Sequence, residues 1–517
     1  MAQDPDPLTD PTTYTVTEAL AALEARALTS VQLVEAFLAR IEAYEPHYNA
    51  FTQLNPAALE EAKASDTRRA LGEPPRALEG VPIVVKDSVD MAGLPTTDGW
   101  PVTTPACGGL ALVPAKDAPV VVRLREAGAV IIGKTNLPRW AYSGSNADDS
   151  ADGPTYNILD RRWAPGGSST GTATAVAGDF AIAGLAEETG GSIQNPAAAQ
   201  SLYAIKPTFG LVPTTGGVPQ CGSTRDVLGP ITKSIEDAAL LLDVMAGPHP
   251  DDPKTHAAQV PAGGYTSQLS TTALQGARIG LYGPGWRGGR GALTTETADL
   301  YAAAVDRLRS RGAVVIEDPF ADTDLADLAV LDDQGYDSRG QEYAAYEMDR
   351  YLAALGPTAP VHSLAELLAF AQASEFTDKP LELLAAGDPE QTPDLTPFLQ
   401  VRDAYLAIID SVFATHRLDA LCFPQQIAPI GDSAGDTRGG ETVHASTVSE
   451  INIAQLPGVV LPDGAYHDGR PFALIFLGPQ WSEAELLGYA YDYTSANPGR
   501  MRRPDLGSVR FPCSTPS

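Results

Sequence analysis

Lysine is scarce in this sequence: it supplies 8 of the 35 basic residues, so a lysine inside an apolar run is a marked position. Cysteine is scarcer. Cys107, Cys221, Cys422 and Cys513 are too few and too scattered to frame 517 residues with disulfides, and they leave the redox compartment open. Positive charge as a whole is in deficit, since 35 Lys and Arg against 65 Asp and Glu give a formal net charge of -30. That imbalance opposes any general attraction to nucleic acid or anionic membrane, so no direct nucleic-acid partner is expected. No run of 18 apolar residues occurs, which excludes a helical membrane span, and the start MAQDPDPLTD lacks the basic and apolar segments of a retained signal peptide. The expected location is cytoplasmic, with a processed secreted form as the other option. Internal repeats, heptads and low-complexity tracts are also missing.

What is present is a globular composition with many turns, including 48 Gly and 43 Pro. Length alone suggests about three domains. The pattern of elements argues instead for one discontinuous α/β domain. Residues 16–43 show helical spacing in two stretches divided at Thr29 and Ser30, and 1–75 reads as an N-terminal helical wrap. A first core part, 76–330, opens on the short apolar strand GVPIVVKDSVD, in which Lys86 ends the run. Residues 121–136 read as helix, Gly turn and strand, and GARIGLY and GAVVIE read as strands flanking a helix at 295–310. A helical excursion is expected over 331–412. LDALCFP and PFALIFLG return to the sheet within 413–517, and SEAELLGYAYDYT supplies a closing helix.

The densest signal for chemistry lies in two serine-bearing glycine turns 24 residues apart, RRWAPGGSSTGTATAVAG and LAEETGGSIQNPAAAQ. In Thr189-Gly190-Gly191-Ser192 the glycines permit a tight backbone whose amides can converge on one point, as an oxyanion hole requires. The bland alternative is a turn with Ser192 capping a helix. Gly167-Ser168-Ser169-Thr170-Gly171 matches the G-x-S-x-G elbow, which would make Ser169 a nucleophile, but RRWAPGG is a poor candidate for the strand an elbow needs. His416, His444 and His467 could complete a serine triad, and none has a recognisable setting. Lys86 follows an apolar strand directly, where desolvation favours a neutral amine able to act as a base. A strand-end lysine paired with Asp87 or Asp90 is the competing reading.

Three segments in order, GVPIVVKDSVDMAGLPTT at 80–97, APGGSSTGTATAVAG at 164–178 and ETGGSIQNPAAAQSLYAIKPTFGLVP at 188–213, make the chain resemble the amidase signature family of amide hydrolases. GPITKSIEDAALLLDVMAG, INIAQLPGVVLPDG and GRPFALIFLGPQWSEAELL extend the resemblance over most of residues 15–497. It implies an α/β fold, a mostly mixed twisted sheet covered by helices on both faces. It also implies a Ser-Ser-Lys triad: Ser192 as nucleophile, Ser168 as a bridging serine preceded by a cis peptide bond, eased by Gly167, and Lys86 as terminal base. Backbone amides of Thr189, Gly190, Gly191 and Ser192 would hold the oxyanion, and neither a metal nor an organic cofactor is implied. The implied reaction is hydrolysis of a carboxylic amide through an acyl-enzyme, with aryl amides, esters and carbamates as further substrates. The partner expected is a small acyl substrate, and the chain is expected as a monomer or homodimer.

Two positions depart from the family pattern. Glu188 stands where Asp is common and keeps a carboxylate, whereas Gln194 stands where Arg is common and lacks its charged five-donor fork. The helical excursion, YEMDRYLAALG and HSLAELLAFAQ, resembles the peptide-amidase and oligoamide-hydrolase branch, and its aromatics, like Trp163 and Trp481, could line a cleft or bury helices. Two alternatives share the scaffold: a noncatalytic ligand-binding protein and a glutamine-dependent amidotransferase subunit.

Overall fold

Short apolar runs such as Pro82–Lys86 (PIVVK) and Val130–Thr135 (VIIGKT) are buried along their whole length, as strands covered on both faces must be. The computed structural model describes residues 10–328, 339–433, 443–496, 499 and 506. Among them eleven strands form one mixed sheet: β1 (Phe51–Leu54), β2 (Pro82–Lys86), β3 (Val130–Thr135), β4 (Ala183–Glu188), β5 (Tyr203–Lys206), β6 (Val227–Thr232), β7 (Arg278–Leu281), β8 (Val314–Ile316), β9 (Ala420–Pro424), β10 (Gly458–Ala465) and β11 (Pro471–Leu477). Their spatial order is β1-β3-β2-β4-β6-β5-β10-β11-β9-β7-β8. β2 runs parallel to both β3 and β4, and β7 runs parallel to both β8 and β9, while the centre is antiparallel.

Local sequence explains most of the flanking helices. Val16–Glu24 and Ser30–Tyr44 each begin at a capping box, Thr15 with Glu18 and Thr29 with Gln32, which is why the helical pattern divides at Thr29. The helix Pro119–Glu126, its Gly128 turn at positive φ and β3 follow in the expected order. Thr295–Ser310 lies between β7 and β8, and Glu483–Ser495 closes the described fold.

The helical segment after β8 has two parts with different cores. Ala344–Ala354, Leu364–Ala373 and Lys379–Ala386 bury Met348, Leu352, Leu367 and Leu384 in a satellite cluster with Trp100, Leu112 and Trp140. The longer helix Thr396–His416 instead sends Phe398, Tyr405 and Ile409 into the main core. The expected start of the excursion at 331 and Cys513 lie outside the described residues. Among the described residues no helix is long and apolar enough to cross a membrane.

Candidate active site

Parallel pairing of β2 with β4, Val85 opposite Leu185, brings the end of one strand beside the end of the other. Lys86 thereby meets the segment that leads into the glycine turn. Its side chain is fully buried, and its Nζ donates to Ser168 Oγ at 2.7 Å, to Glu187 Oε2 at 2.6 Å and to the Glu187 carbonyl at 3.2 Å. An ammonium has three N–H donors, and three acceptors surround this one. The sequence-based pairing of Lys86 with Asp87 or Asp90 is therefore corrected. Asp87 pairs with Lys134 at 2.6 Å, and Asp90 accepts from Thr96 Oγ1 at 2.7 Å and Tyr351 Oη at 2.9 Å.

Gly167–Ser168 is a cis peptide bond. A Cβ on Gly167 would stand 2.5 Å from the Ser143 carbonyl oxygen, so the close approach of two backbones requires glycine there. Ser169 follows at the cap of the helix Thr170–Ala177, with its hydroxyl donating to the Glu187 carbonyl at 3.0 Å. No strand precedes it, because residues 161–167 hold no regular element, so the elbow context is absent. His467 pairs with Glu296 at the surface, His444 is exposed, and His416 caps a distant part of the sequence by accepting Arg278 Nε on its carbonyl.

The second turn is joined to the first through Ser169 N–H, which donates to the Ser192 carbonyl at 3.2 Å. Among the described residues none of the backbone amides from Thr189 to Ser192 donates a hydrogen bond, and Ser192 Oγ has no partner. Unengaged amides beside a free hydroxyl are what an oxyanion site needs before substrate arrives. Ser192 is not a helix cap. Ile193 occupies the cap position of Gln194–Ala199, and the donors there are satisfied by Glu188, whose Oε2 accepts from Ile193 N at 2.8 Å and Gln194 N at 3.2 Å. Its Oε1 accepts from Asn452 Nδ2 at 2.8 Å and from the Gln194 amide. The extra methylene of Glu188 thus serves the backbone just after Ser192, and neutral Gln194, fully buried, answers it with a hydrogen bond in place of an ion pair.

Strand alternation separates the two adjacent glutamates: Glu188 goes toward the helix after Ser192, and Glu187 toward Lys86. The Thr189 hydroxyl donates to Asp226 Oδ1 at 2.6 Å and lies 3.1 Å from Glu187 Oε1. Burial, then the Glu187 charge, pushes the Asp226 carboxyl up to about 7. Asp98, fully buried near Lys86 and Glu187, has no hydrogen-bond partner on either oxygen among the described residues, and burial holds its carboxyl well above the usual range. Lys86 thus lies against Glu187 and Lys134 against Asp87, while burial pushes the carboxyls of Asp98 and Asp226 up. Sequence reasoning missed Glu187, Asp98, Asp226 and Asn452. The one available signal was charge inside the apolar strand GLAEE.

Glu187 and Asp226 also border a cavity of about 550 Å³, whose other wall is Tyr346, Glu347, Arg350 and Tyr351 of the helix Ala344–Ala354. These aromatics divide by role: Tyr346 lies at the cavity under the Arg350 guanidinium, and Tyr351 is buried. Trp163 lies under the Arg470 guanidinium and packs with Ala164 and Ile430, and Trp481 packs against the main core.

The large mixed sheet thus carries a buried lysine hydrogen-bonded to one serine and a second serine in a glycine turn. The family model for Amidase matches residues 32–487, and the chain belongs to the amidase signature family. The native peptide amidase from Stenotrophomonas maltophilia is 32% identical, covers 95% of this chain and 98% of its own, and superposes with a TM-score of 0.78. An amidase family protein from Bacillus anthracis is 26% identical with a TM-score of 0.78, covering 96% of this chain and 93% of its own. Among curated relatives, a glutamyl-tRNA(Gln) amidotransferase subunit from Chloroflexus aggregans is 33% identical over 514 residues, 95% of this chain and 98% of that protein. Membership places the chain among amide-hydrolysing enzymes and confirms the expected fold class.

Proposed function

We propose that the protein is an amidohydrolase that cleaves a carboxylic amide C–N bond through an acyl-enzyme on Ser192, with Ser168 as proton relay and Lys86 as base. The observation that carries this reading is the 2.7 Å contact between Lys86 Nζ and Ser168 Oγ in a fully buried setting. Lys86 takes the Ser168 proton as Ser168 takes that of Ser192, and Ser192 Oγ attacks the carbonyl carbon. The C=O π pair moves to oxygen, where the free amides of Thr189, Gly190, Gly191 and Ser192 receive the charge. Collapse breaks the C–N bond, and the relay returns its proton to the departing amine. Water then hydrolyses the ester by the same path. Aryl amides, esters and carbamates share this acyl transfer and differ in how the pocket holds them.

The similarity to an amidotransferase component supports a second reading, in which the amide is that of glutamine and a partner receives the ammonia. A net charge of -30 disfavours direct contact with tRNA by this chain, so such contact would belong to a partner. One measurement tests the nucleophile that both readings share, and a second separates the readings. Mass spectrometry after a reactive acyl probe is expected to place the adduct on Ser192, and an adduct on Ser169 would overturn the assignment. A panel of primary amides, anilides, esters and carbamates is expected to show turnover by the isolated chain, whereas glutamine turnover only after partner addition would favour the amidotransferase.

A further inference from the structure

The base assigned to Lys86 meets a difficulty in the donor count. All three N–H directions of an ammonium at Nζ are filled, by Ser168 Oγ, the Glu187 carbonyl and Glu187 Oε2, so the nitrogen presents no lone pair to Ser168. One proton has to leave before Lys86 can accept another. The shortest of the three contacts, 2.6 Å to Glu187 Oε2, points at the only acceptor there that can keep a proton.

We propose that Glu187 is a positioning residue that acts through Lys86, storing one of its protons so that the amine is free when Ser168 must be deprotonated. The inference rests on the amidohydrolase reading above. In the resting site the pair is ammonium and carboxylate. The proton between Nζ and Oε2 moves to Oε2, leaving a neutral amine and a carboxylic acid with no change in the pair's total charge. In a site this buried a neutral pair competes with an ion pair, because neither partner then needs solvation. The amine then turns about its Cε–Nζ bond so that the lone pair left by that proton faces Ser168 Oγ. It takes the Ser168 proton, Ser168 takes that of Ser192, and the new C–O bond forms while the carbonyl π electrons move to oxygen. The ammonium now on Lys86 balances the oxyanion. When the C–N bond breaks, the proton returns through Ser168 to the amine, and Lys86 recovers its own from Glu187.

The surroundings suit the role. Thr189 Oγ1 stands 3.1 Å from Glu187 Oε1 and 2.6 Å from Asp226 Oδ1, so its one hydroxyl proton links the second oxygen of Glu187 to its neighbouring carboxyl. The titratable groups facing Glu187 are Lys86 from β2, Asp98 from the loop after it and Asp226 ahead of β6, with Glu347 beyond Asp226 and the Asp87–Lys134 pair behind Lys86. Burial pushes the carboxyls of both Asp98 and Asp226 up, which weakens their pull on the Lys86 charge relative to Glu187, the carboxylate in direct contact with it. Glu187 also borders the 550 Å³ cavity, which gives the stored proton a route for exchange with water.

The test uses the second-order rate at which a fluorophosphonate labels Ser192, followed from pH 5 to 10 on the full chain, with the label mapped by mass spectrometry. Wild type is expected to hold its rate across neutral pH. Glu187→Gln, nearly isosteric, must free Lys86 by losing a proton to water, so its acid limb is expected to move up by at least one pH unit. Its rate at pH 7 should fall at least tenfold and recover largely by pH 9. Glu187→Asp should fall between the two. An acid limb in Glu187→Gln that stays in place or moves down would overturn the inference, as would an equal loss at every pH with an unchanged melting temperature. Should Glu187→Gln fail to fold, Thr189→Val, which releases Glu187 Oε1 and Asp226 Oδ1 while leaving the Lys86 contact to Oε2 in place, is expected to shift the limb in the same direction by less, and no shift there counts against the proposal. Labelling away from Ser192 in the wild type would bring down the amidohydrolase reading itself, whereas a Ser192 label with coincident profiles removes only the role of Glu187.

Discussion

Lys134 Nζ and Asp87 Oδ1 stand 2.6 Å apart with both side chains fully buried, directly behind Lys86. The pair takes Asp87 out of reach as a counter-ion for its neighbour and leaves Lys86 to Glu187. Lys134 also donates to the Pro95 carbonyl at 3.0 Å and to Thr96 Oγ1 at 2.9 Å, so it ties the loop after β2 to β3. Lys134→Met would leave a buried carboxylate without its charge partner, a change that costs about 3–5 kcal/mol. Urea unfolding should show that loss. The double variant Asp87→Asn/Lys134→Met should be clearly less destabilised than the sum of the single changes, and simple additivity would show that the two groups do not act as a pair.

Glu188 supports a different prediction because it accepts from two backbone amides and two side-chain amides at once. Glu188→Ala strands buried donors at Ile193, Gln194 and Asn452, and each unmet buried donor costs about 1–3 kcal/mol. The expected result is a loss of at least about 3 kcal/mol in urea unfolding together with slower labelling of Ser192. Glu188→Gln keeps the shape and an acceptor oxygen and should lose about half as much or less. Equal effects from the two variants would mean that the carbonyl-type oxygen is not what matters.

Asp237 makes the pH dependence testable. It caps the helix Val16–Glu24 from a distance in sequence, accepting Val16 N at 3.0 Å and Thr17 N at 3.2 Å, while burial pushes its carboxyl up to about 6. A folded value above the unfolded one, about 3.9, means the folded chain binds more protons between roughly pH 4 and 6. The contribution of Asp237 to stability therefore falls as pH rises through that window and stays low above it. Asp237→Asn does not titrate. Its stability relative to wild type should improve as pH rises from 4 to 6.5, read from urea midpoints at each pH. A constant difference across the range would contradict the raised value.

Several strands and many helices could be read from the sequence because their signals are local. Capping residues stand beside the helices they start, β2 is an apolar run that ends on a lysine, and each serine sits in its own glycine turn. Partners were illegible for the opposite reason. Which carboxylate meets Lys86 depends on β2 lying next to β4, and the chain-adjacent Asp87 is a poorer guess than Glu187, 101 residues away. The Ser169 elbow shows the same limit, since a matching pentapeptide without its strand places the hydroxyl against the Glu187 carbonyl. The central antiparallel strands are equally non-local: β10 pairs with β5, and Lys206 Nζ reaches the Leu456 carbonyl at 2.6 Å across 250 residues. Burial there lowers Lys206 to about 8, a second lysine whose setting the composition concealed.

Gly167 offers the sharpest test of how the site is held. An added Cβ would meet the Ser143 carbonyl oxygen at 2.5 Å, and would lie 3.3 Å from both the Asn146 carbonyl oxygen and Thr170 Oγ1. The nearest of these is backbone and cannot rotate away, so in Gly167→Ala one of the two segments must shift. Movement of residue 167 carries Ser168 with it, and the 2.7 Å contact to Lys86 Nζ tolerates little displacement. A misplacement of about 1 Å in a catalytic group can cost about 100-fold in rate, and a loss of that order is expected in fluorophosphonate labelling of Ser192. Gly289→Ala is the matched control, because nothing lies within 4 Å of its added Cβ and its φ is not in the left-handed region. It should label at the wild-type rate, and a Gly167→Ala protein that does the same would show that Ser168 is not held by this close packing.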